Sequence, residues 1–328
     1  MATSSDFIDG LQTATERFLT KRRMTKRIKR EKQKAKNPIV DWIEAFVWAA
    51  GVVLLVNQYL FQAYQIPSGS MIDTLLIGDR IFVNKLVYGP ELLPGIAKLP
   101  SPFQPKRNQI VIFENPSYLS KGPAFDVAQR VIYMLTLSIV DIDKDENGEP
   151  RPHFLIKRAV GMEGDVLTME RGEMSFRFPG ETSDTKERDY LAAAGAVHPV
   201  NRLMAESDYP VVEAAGRAAA YDDLALAAPA ELSAASAGIS SVRYPDYLSY
   251  DRSRLEVLRA ASPQDGRYAA LLARYRLGWY VPEGRIFPMG DNRDNSRDAR
   301  YFGAVKKSKV LGEAMVKYWP FARIGPVR

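Results

Sequence analysis

The 328-residue chain contains no cysteine and only two histidines, His153 and His198. Without cysteine, the chain can form no disulfide, no catalytic thiolate and no cysteine-based metal site. Two histidines are too few for a multi-histidine metal centre and leave almost nothing for a Ser-His-Asp triad. We therefore expect no metal and no cofactor, and any hydrolytic chemistry should use a base other than histidine.

Basic residues are concentrated near the N-terminus. Ten lysines and arginines fall within residues 21–36, where Glu31 is the only acidic residue, although the net charge of the whole chain is only +6. A nucleic-acid-binding protein would spread basic residues and aromatics over a folded surface, so we expect no nucleic-acid partner. The segment 1–40 is either a solvated basic tail or a helix that lies on anionic lipid.

Residues 41–63 form the one long apolar stretch of the chain. Its length suits a transmembrane helix, which needs ~20 mostly apolar residues. A buried core helix would show a similar apolar pattern. The late start and the missing cleavage site argue against a secretory signal peptide. The basic run before the stretch predicts a single-pass protein with residues 1–40 in the cytoplasm and the remainder outside.

Short runs of branched and aromatic residues follow the apolar stretch and predict a mainly β domain, antiparallel or mixed. Candidate strands lie at residues 80–88, 109–114, 153–160, 285–289 and 314–319, with a hairpin over residues 166–173. The region 175–276 differs, because it is rich in alanine and has helical patterns at 252–261 and 267–277. We therefore predict a β domain in two parts, 64–174 and 277–328, separated by a helical insertion at 175–276.

Ser70 lies within ten residues of the predicted span, so at most ~35 Å of extended chain separates it from the bilayer. A serine nucleophile needs a nearby base, and lysine can serve only if burial lowers its usual pKa of about 10.4. In the strand that contains Lys157, side chains alternate, so Lys157 shares a face with Leu155 and Ala159 while Arg158 points the other way. Spacing alone leaves open an ordinary surface lysine at this position.

A dense polar run extends from Gly290 to Gly303. Its aspartates and arginines can pair with bidentate geometry and hold a loop rigidly beside a site. The alternatives are an exposed charged turn or a calcium loop. An EF-hand counted from Asp291 would need glycine and glutamate where the chain has Ser296 and Phe302, so the calcium interpretation is weak.

Four sequence blocks, in this order, resemble the bacterial type I signal peptidases (leader peptidases), membrane enzymes that cut signal peptides from exported proteins. The blocks are Pro67-Ser68-Gly69-Ser70-Met71 with Thr74-Leu75, Gly78 to Lys85 with Tyr88-Gly89, Lys157 to Gly161 with Gly164-Asp165, and Gly290 to Arg300. The chain departs from the family pattern at Asp73 and Glu163, at Ala299 where serine is common, and in the length of its helical insertion.

The resemblance implies a role for each matching residue. Ser70 would be the nucleophile and Lys157 the general base, while the Ser68 side chain and the Ser70 backbone N–H would form the oxyanion hole. Ser296 would orient the lysine, with Asp298 and Arg300 as a supporting pair, and Asp291 and Arg293 belong to the same supporting block. The residues expected to line the substrate groove are Ile66, Pro67, Met71, Leu155 and Ile156.

The resemblance implies a serine endopeptidase, anchored in the bacterial cytoplasmic membrane, that cleaves signal peptides after Ala-x-Ala-like sites. Its partners would be exported preproteins, the lipid bilayer and the secretion translocon. Three alternatives remain: a Ser-Lys peptidase that cleaves itself or a regulator, a catalytically inactive membrane-tethered binding protein of the same fold, and a basic membrane-surface scaffold.

Overall fold

The computed structural model describes residues 15–28, 37–93, 97–136, 139–146, 148, 151–195 and 199–327. Parts of the predicted basic segment 1–40, and also His198, lie outside these residues. The helices are α1 (15–28), α2 (Pro38–Tyr59), α3 (Pro123–Leu135), α4 (Glu187–Ala193), α5 (Tyr209–Asp223), α6 (Ala230–Ser236), α7 (Tyr247–Ala261), α8 (Gly266–Leu277) and α9 (Ala299–Phe302).

The strands are β1 (Phe61–Gln65), β2 (Arg80–Asn84), β3 (Glu91–Leu93), β4 (Ala97–Lys98), β5 (Ile110–Glu114), β6 (Phe154–Met162), β7 (Val166–Glu170), β8 (Glu173–Arg177), β9 (Thr185–Lys186), β10 (Trp279–Tyr280), β11 (Arg285–Met289), β12 (Val305–Lys306), β13 (Val310–Trp319) and β14 (Gly325–Pro326). The chain divides into two compact units, residues 1–53 and residues 54–328.

Helix α2 has the length and composition of a membrane span, with a mean hydropathy of 2.0 over its most apolar window. None of that window is buried, which does not fit the alternative of a core helix. The predicted span of 41–63 is wrong at its C-terminal end, because the helix ends at Tyr59 and β1 begins at Phe61. Pairing with β2 extends the chain there, and the buried Asn57 side chain accepts a hydrogen bond from the Ala63 N–H.

The strands form three sheets in the part of the chain that the structure describes. The largest has the order β1-β2-β13-β5-β6-β11-β12, with β14 paired to β13, and the smaller ones are β10-β7-β8-β9 and β3-β4. Every pair within the sheets is antiparallel. The prediction of a mainly β, antiparallel protein is therefore confirmed, and the mixed alternative is not.

Apolar side chains on alternate positions of β2, β5 and β6 form the core of the large sheet. One cluster includes Ile66, Met71, Ile81 and Ile112, and partly buried Ile156 packs against it. Because Ile66 and Met71 flank the segment that carries Ser70, the core anchors this segment on both sides.

The region from 175 to 276 is only partly helical as predicted. Residues 175–177 belong to β8 and residues 185–186 form β9, so the insertion begins within a sheet and not before a helix. The helical patterns at 252–261 and 267–277 lie within α7 and α8. Small residues let α5 and α7 approach closely, since a Cβ on Gly216 would lie 2.1 Å from the Tyr250 carbonyl oxygen.

Candidate active site

The segment after β1 brings Ser70 against Lys157. Ser70 lies in a single 3₁₀ turn, Gly69–Met71, and Lys157 lies in the middle of β6. The Lys157 Nζ is 2.5 Å from the Ser70 Oγ, and the two residues are only 3% and 8% exposed. A neutral amine at this position can accept the hydroxyl proton directly.

Burial lowers the pKa of Lys157 from 10.5 to about 8. The carboxylates of Asp298 and Asp291 oppose the shift, because they favour the charged ammonium, whereas Arg300 adds to it. A substantial fraction of the amine is therefore neutral near pH 8. This is the protonation state that a general base requires.

A lowered lysine pKa is not unique to this position. Burial also lowers the pKa of Lys85 to about 8, but the Lys85 Nζ donates a hydrogen bond to the Gln62 Oε1 at 3.1 Å. Burial likewise lowers the pKa of His153, whose Nε2 lies 2.9 Å from the Asp143 Oδ2. Contact with Ser70, and not the pKa, distinguishes Lys157 from these two groups.

Asp298 is the shared acceptor of several hydrogen bonds next to Lys157. It accepts hydrogen bonds from the Ser296 hydroxyl at 2.8 Å, the Gly290 N–H at 3.0 Å and the Arg300 guanidinium at 2.9 Å. Burial acts to raise the pKa of Asp298, but Arg300 and these hydrogen bonds lower it overall. Among the described residues, Ser296 donates to Asp298 and has no hydrogen bond to Lys157, so the predicted orientation of the lysine by Ser296 would act through Asp298.

The residue after Lys157 anchors β6 to the polar run. The Arg158 guanidinium donates to both carboxylate oxygens of Asp291, at 2.8 and 2.7 Å, and to the Asn108 carbonyl oxygen at 2.7 Å. The Thr74 hydroxyl donates to the same carboxylate at 2.6 Å. Three separate parts of the chain therefore meet at one buried aspartate.

The polar run also holds the backbone of the Ser70 turn. The Asn292 side chain donates to the Gly69 carbonyl oxygen at 2.9 Å, and the Asn292 N–H donates to the Ser70 carbonyl oxygen at 3.1 Å. Gly290 permits this approach, since a Cβ there would lie 2.5 Å from the Ser70 carbonyl oxygen and 2.3 Å from the Ser296 Oγ. The close packing requires glycine at position 290.

Two ion pairs connect the polar run with the region from 175 to 276. The Arg293 guanidinium donates two hydrogen bonds to Glu187, at 2.5 and 2.6 Å, and both side chains are buried. The Asp294 carboxylate accepts from Arg202 at 2.9 Å and from the Leu203 N–H at 2.6 Å. This region therefore contributes directly to the support of the site.

A cleft of about 610 Å³ opens beside Ser70 and Lys157. All the residues predicted to line the substrate groove line this cleft, together with Ser68: Ile66, Pro67, Met71, Leu155 and Ile156. Ser68 is exposed, and its Oγ lies 3.5 Å from the Ser70 Oγ. The cleft thus contains Ser70, Lys157, the Ser68 side chain and apolar side chains.

Two strand edges border the cleft. Among the described strands, β1 pairs only with β2, and the pairing of β11 with β6 stops at Arg158, so residues 154–157 pair only with β5. Residues 154–157 of β6 line the cleft, together with Tyr64 and Gln65 at the end of β1. An extended peptide can therefore add to residues 154–157 through main-chain hydrogen bonds.

Sequence reasoning missed Glu187, Asn201, Arg202 and helix α3. No spacing signal links Glu187 or Arg202 to the polar run, because the pairs span 106 and 92 residues. The Asn201 N–H similarly donates to the Asp291 carbonyl oxygen across the fold. Helix α3 had a detectable signal, namely Pro123 at its first position.

Comparison with known proteins matches residues 39–216 and 229–319 to the family described as signal peptidase, peptidase S26. The chain is 28% identical to signal peptidase I of Haemophilus influenzae over 298 residues, which cover 87% of this chain and 72% of that protein. It is 28% identical to signal peptidase I of Aquifex aeolicus over 269 residues, or 81% and 79% of the two chains. The corresponding protein of Pseudomonas fluorescens is 26% identical over 311 residues, or 88% and 80%.

Proposed function

The chain belongs to the peptidase S26 family of signal peptidases, and on this premise we propose that it is a serine endopeptidase that cleaves signal peptides from preproteins. The contact between the Lys157 amine and the Ser70 hydroxyl carries the proposal. An intact nucleophile–base pair beside an open cleft also favours catalysis over the alternative of an inactive binding protein with the same fold.

In the proposed reaction, the neutral Lys157 amine takes the proton of the Ser70 hydroxyl as the Ser70 Oγ attacks the scissile carbonyl carbon. The Ser68 hydroxyl and the Ser70 N–H donate hydrogen bonds to the oxyanion that forms. The Lys157 ammonium then gives its proton to the leaving amine, which departs with the mature protein. The signal peptide remains as an ester on the Ser70 Oγ.

A water molecule completes the cycle. Lys157, neutral again, accepts a proton from this water while its oxygen attacks the ester carbonyl carbon. Collapse of the second tetrahedral intermediate breaks the bond to the Ser70 Oγ, which recovers a proton from Lys157. The signal peptide leaves with a new C-terminal carboxylate.

The substrate should bind as an extended strand along residues 154–157 of β6, beside Tyr64 and Gln65 of β1, and be cleaved at Ala-x-Ala-like sites. Ile66 and Ile156 line the same cleft as the dyad, and we expect their side chains to admit only small substrate side chains. Asp291, Arg293, Ser296, Asp298 and Arg300 position the dyad and do not react.

Two variants test the proposal. Ser70→Ala and Lys157→Ala should each abolish cleavage of a preprotein by the full chain in detergent, because one removes the nucleophile and the other removes the base. The matched control is Lys309→Ala, which removes an exposed lysine paired with Glu114 and should leave the rate unchanged. Cleavage retained by either dyad variant would contradict the mechanism.

We also propose that α2 crosses the bacterial cytoplasmic membrane once, with the basic N-terminal segment in the cytoplasm and the β domain outside. The length and exposed apolar surface of α2 support a span, and the basic run before it supports this orientation. Protease added to intact spheroplasts should digest the β domain and spare the N-terminal segment.

Contact with the secretion translocon stays a prediction that site-specific crosslinking from the β domain would test.

A further inference from the structure

We propose that the cleft contains a further subsite, which binds an apolar side chain of the signal peptide four to six residues before the scissile bond. The subsite is formed by Gln129, Tyr133, Ile139 and Val140, which we call the α3 wall. These residues line the same cleft as Ser70 and Lys157. The inference rests on the proposed function and adds a specificity determinant to it.

The α3 wall lies at the end of the cleft away from the dyad. The lining of the cleft follows β6 from Lys157 through Ile156 and Leu155 to Phe154. A strand rises about 3.3 Å per residue, so Phe154 is about 10 Å from Lys157 along β6. An extended substrate with its scissile carbonyl at Ser70 therefore reaches Phe154 with its fourth residue, and its fifth residue lies beyond Phe154.

Aromatic side chains connect this end of the cleft with α3. The Tyr64 ring lies 5.7 Å from the Phe154 ring and 6.2 Å from the Tyr133 ring, measured between centroids. Beyond them, Ile139 and Val140 are 61% and 43% exposed. The α3 wall therefore presents apolar surface to whatever occupies the far end of the cleft.

The α3 wall is held in place by hydrogen bonds. The Gln129 Nε2 donates to the Asp141 Oδ1 at 2.8 Å, and the Val140 N–H donates to the Thr136 Oγ1 at 3.2 Å. These bonds hold the segment of Ile139 and Val140 against the C-terminal part of α3.

A buried cluster ties the following loop to the sheet. The Asp143 carboxylate, fully buried, contacts Lys121 at 2.7 Å and His153 at 2.9 Å, and it accepts a hydrogen bond from the Tyr118 hydroxyl at 3.0 Å. His153 directly precedes β6. The loop that carries Ile139 and Val140 is therefore anchored to the strand that carries Lys157.

The ligand that binds the α3 wall can be inferred because the wall and the dyad line the same cleft. A polypeptide that places its scissile bond at Ser70 and its small residues beside Ile66 and Ile156 continues along β6 toward the α3 wall. Signal peptides carry an apolar segment of about 7–15 residues just before their small-residue cleavage site. The last residues of that segment, which lie nearest the cleavage site, meet the α3 wall at this distance.

Two substrates that differ only at the fifth residue before the bond, leucine in one and serine in the other, test the subsite. The full-length enzyme in detergent should cleave the leucine substrate with a kcat/KM about tenfold higher, mostly through KM, because a leucine side chain becomes buried. The double variant Ile139→Ser, Val140→Ser should reduce this ratio to about one. Its kcat on the serine substrate should equal that of the unaltered enzyme.

The matched control is Val127→Ser. Val127 is an exposed valine of α3, 57% exposed, that does not line the cleft, so its substitution should preserve the tenfold ratio. A substrate that begins three residues before the bond cannot reach the α3 wall. The double variant should cleave it as fast as the unaltered enzyme.

Several results would overturn the subsite. They are a ratio near one for the unaltered enzyme, a tenfold ratio that survives in the double variant, and a preference that follows the fifth residue after the bond instead. If the double variant lost the same fraction of kcat/KM on all substrates, the α3 wall would contact bilayer or detergent and not the substrate, which also overturns the proposal. Failure of the proposed function is distinct, because then the unaltered enzyme cleaves neither substrate or Ser70→Ala still cleaves both.

Discussion

Glu187 and Arg293 form a bidentate, buried ion pair that joins the region 175–276 to the polar run beside the dyad. Arg293 also donates from its Nε to the Gly290 carbonyl oxygen at 2.9 Å, and Gly290 packs against Ser70. The pair therefore connects a segment far from Ser70 in sequence with the backbone that supports it.

Replacing Glu187 with alanine should destabilise the protein and slow cleavage. The change leaves the Arg293 guanidinium buried without its partner, which costs ~3–5 kcal/mol in the free energy of unfolding. Chemical denaturation of the full chain in detergent measures the loss, and a preprotein assay measures the rate.

The control for this change is Glu173→Ala, which removes an exposed pair with Lys186 and should cost less than ~1 kcal/mol. Equal stability of the Glu187 and Glu173 variants would mean that the buried pair does not support the site.

The pH dependence of cleavage should follow the protonation of Lys157. Because its pKa is lowered to about 8, kcat/KM should rise about tenfold per pH unit well below pH 8 and level off above it. Asp298→Asn removes a negative charge that raises the pKa of Lys157. The acid limb should therefore move to lower pH in this variant.

Steady-state kinetics across about pH 5.5 to 9.5 give both profiles. Glu163→Gln serves as the control, because it alters an exposed carboxylate that pairs with Lys307 and should leave the acid limb where it is. A profile that is flat across this range in the unaltered enzyme would exclude a neutral Lys157 as the base.

Gly290→Ala should abolish most activity. The added Cβ would lie 2.5 Å from the Ser70 carbonyl oxygen, so the Ser70 turn or the polar run must shift, and small displacements at a reacting centre are costly. We expect a drop in kcat of at least about 100-fold, together with a lower melting temperature.

Gly266→Ala is the matched control, because a Cβ at this position meets nothing within 4 Å. Its kcat and melting temperature should stay close to those of the unaltered chain. If the two alanine variants behaved alike, the close approach at Gly290 would have no role in catalysis.

Ser68→Ala should lower kcat by ~10²–10³ with little change in KM, because it removes one donor to the oxyanion. Ser68→Thr keeps a hydroxyl and should recover part of the rate. Ser241→Ala, which removes an exposed hydroxyl bonded to the Gly238 carbonyl oxygen, is the control. A kcat unaffected by Ser68→Ala would exclude this hydroxyl as an oxyanion donor.

Local patterns predicted several elements closely. Strand β11 has the predicted bounds, the hairpin of β7 and β8 begins at residue 166 as predicted and extends to residue 177, and α7 and α8 contain both predicted helices. These elements follow from side-chain periodicity and turn residues, which act over a few residues. The end of α2 was mispredicted, because the predicted span ran on into residues 61–63, which instead form part of β1 and pair with β2.

The sequence by itself determined the chemistry available to this protein: no thiolate, almost no histidine, a serine in a tight turn, a lysine in an apolar strand and a polar run rich in aspartate and arginine. Residue spacing could not choose among the lysines, and only the family resemblance singled out Lys157. The tertiary structure places the Lys157 amine against Ser70, whereas Lys85, which is also buried with a lowered pKa, contacts Gln62. It also brought Glu187 to Arg293 and the α3 wall to the end of the cleft. The physical reason is that burial and charge pairing arise from contacts between segments far apart in the chain, which residue spacing does not encode.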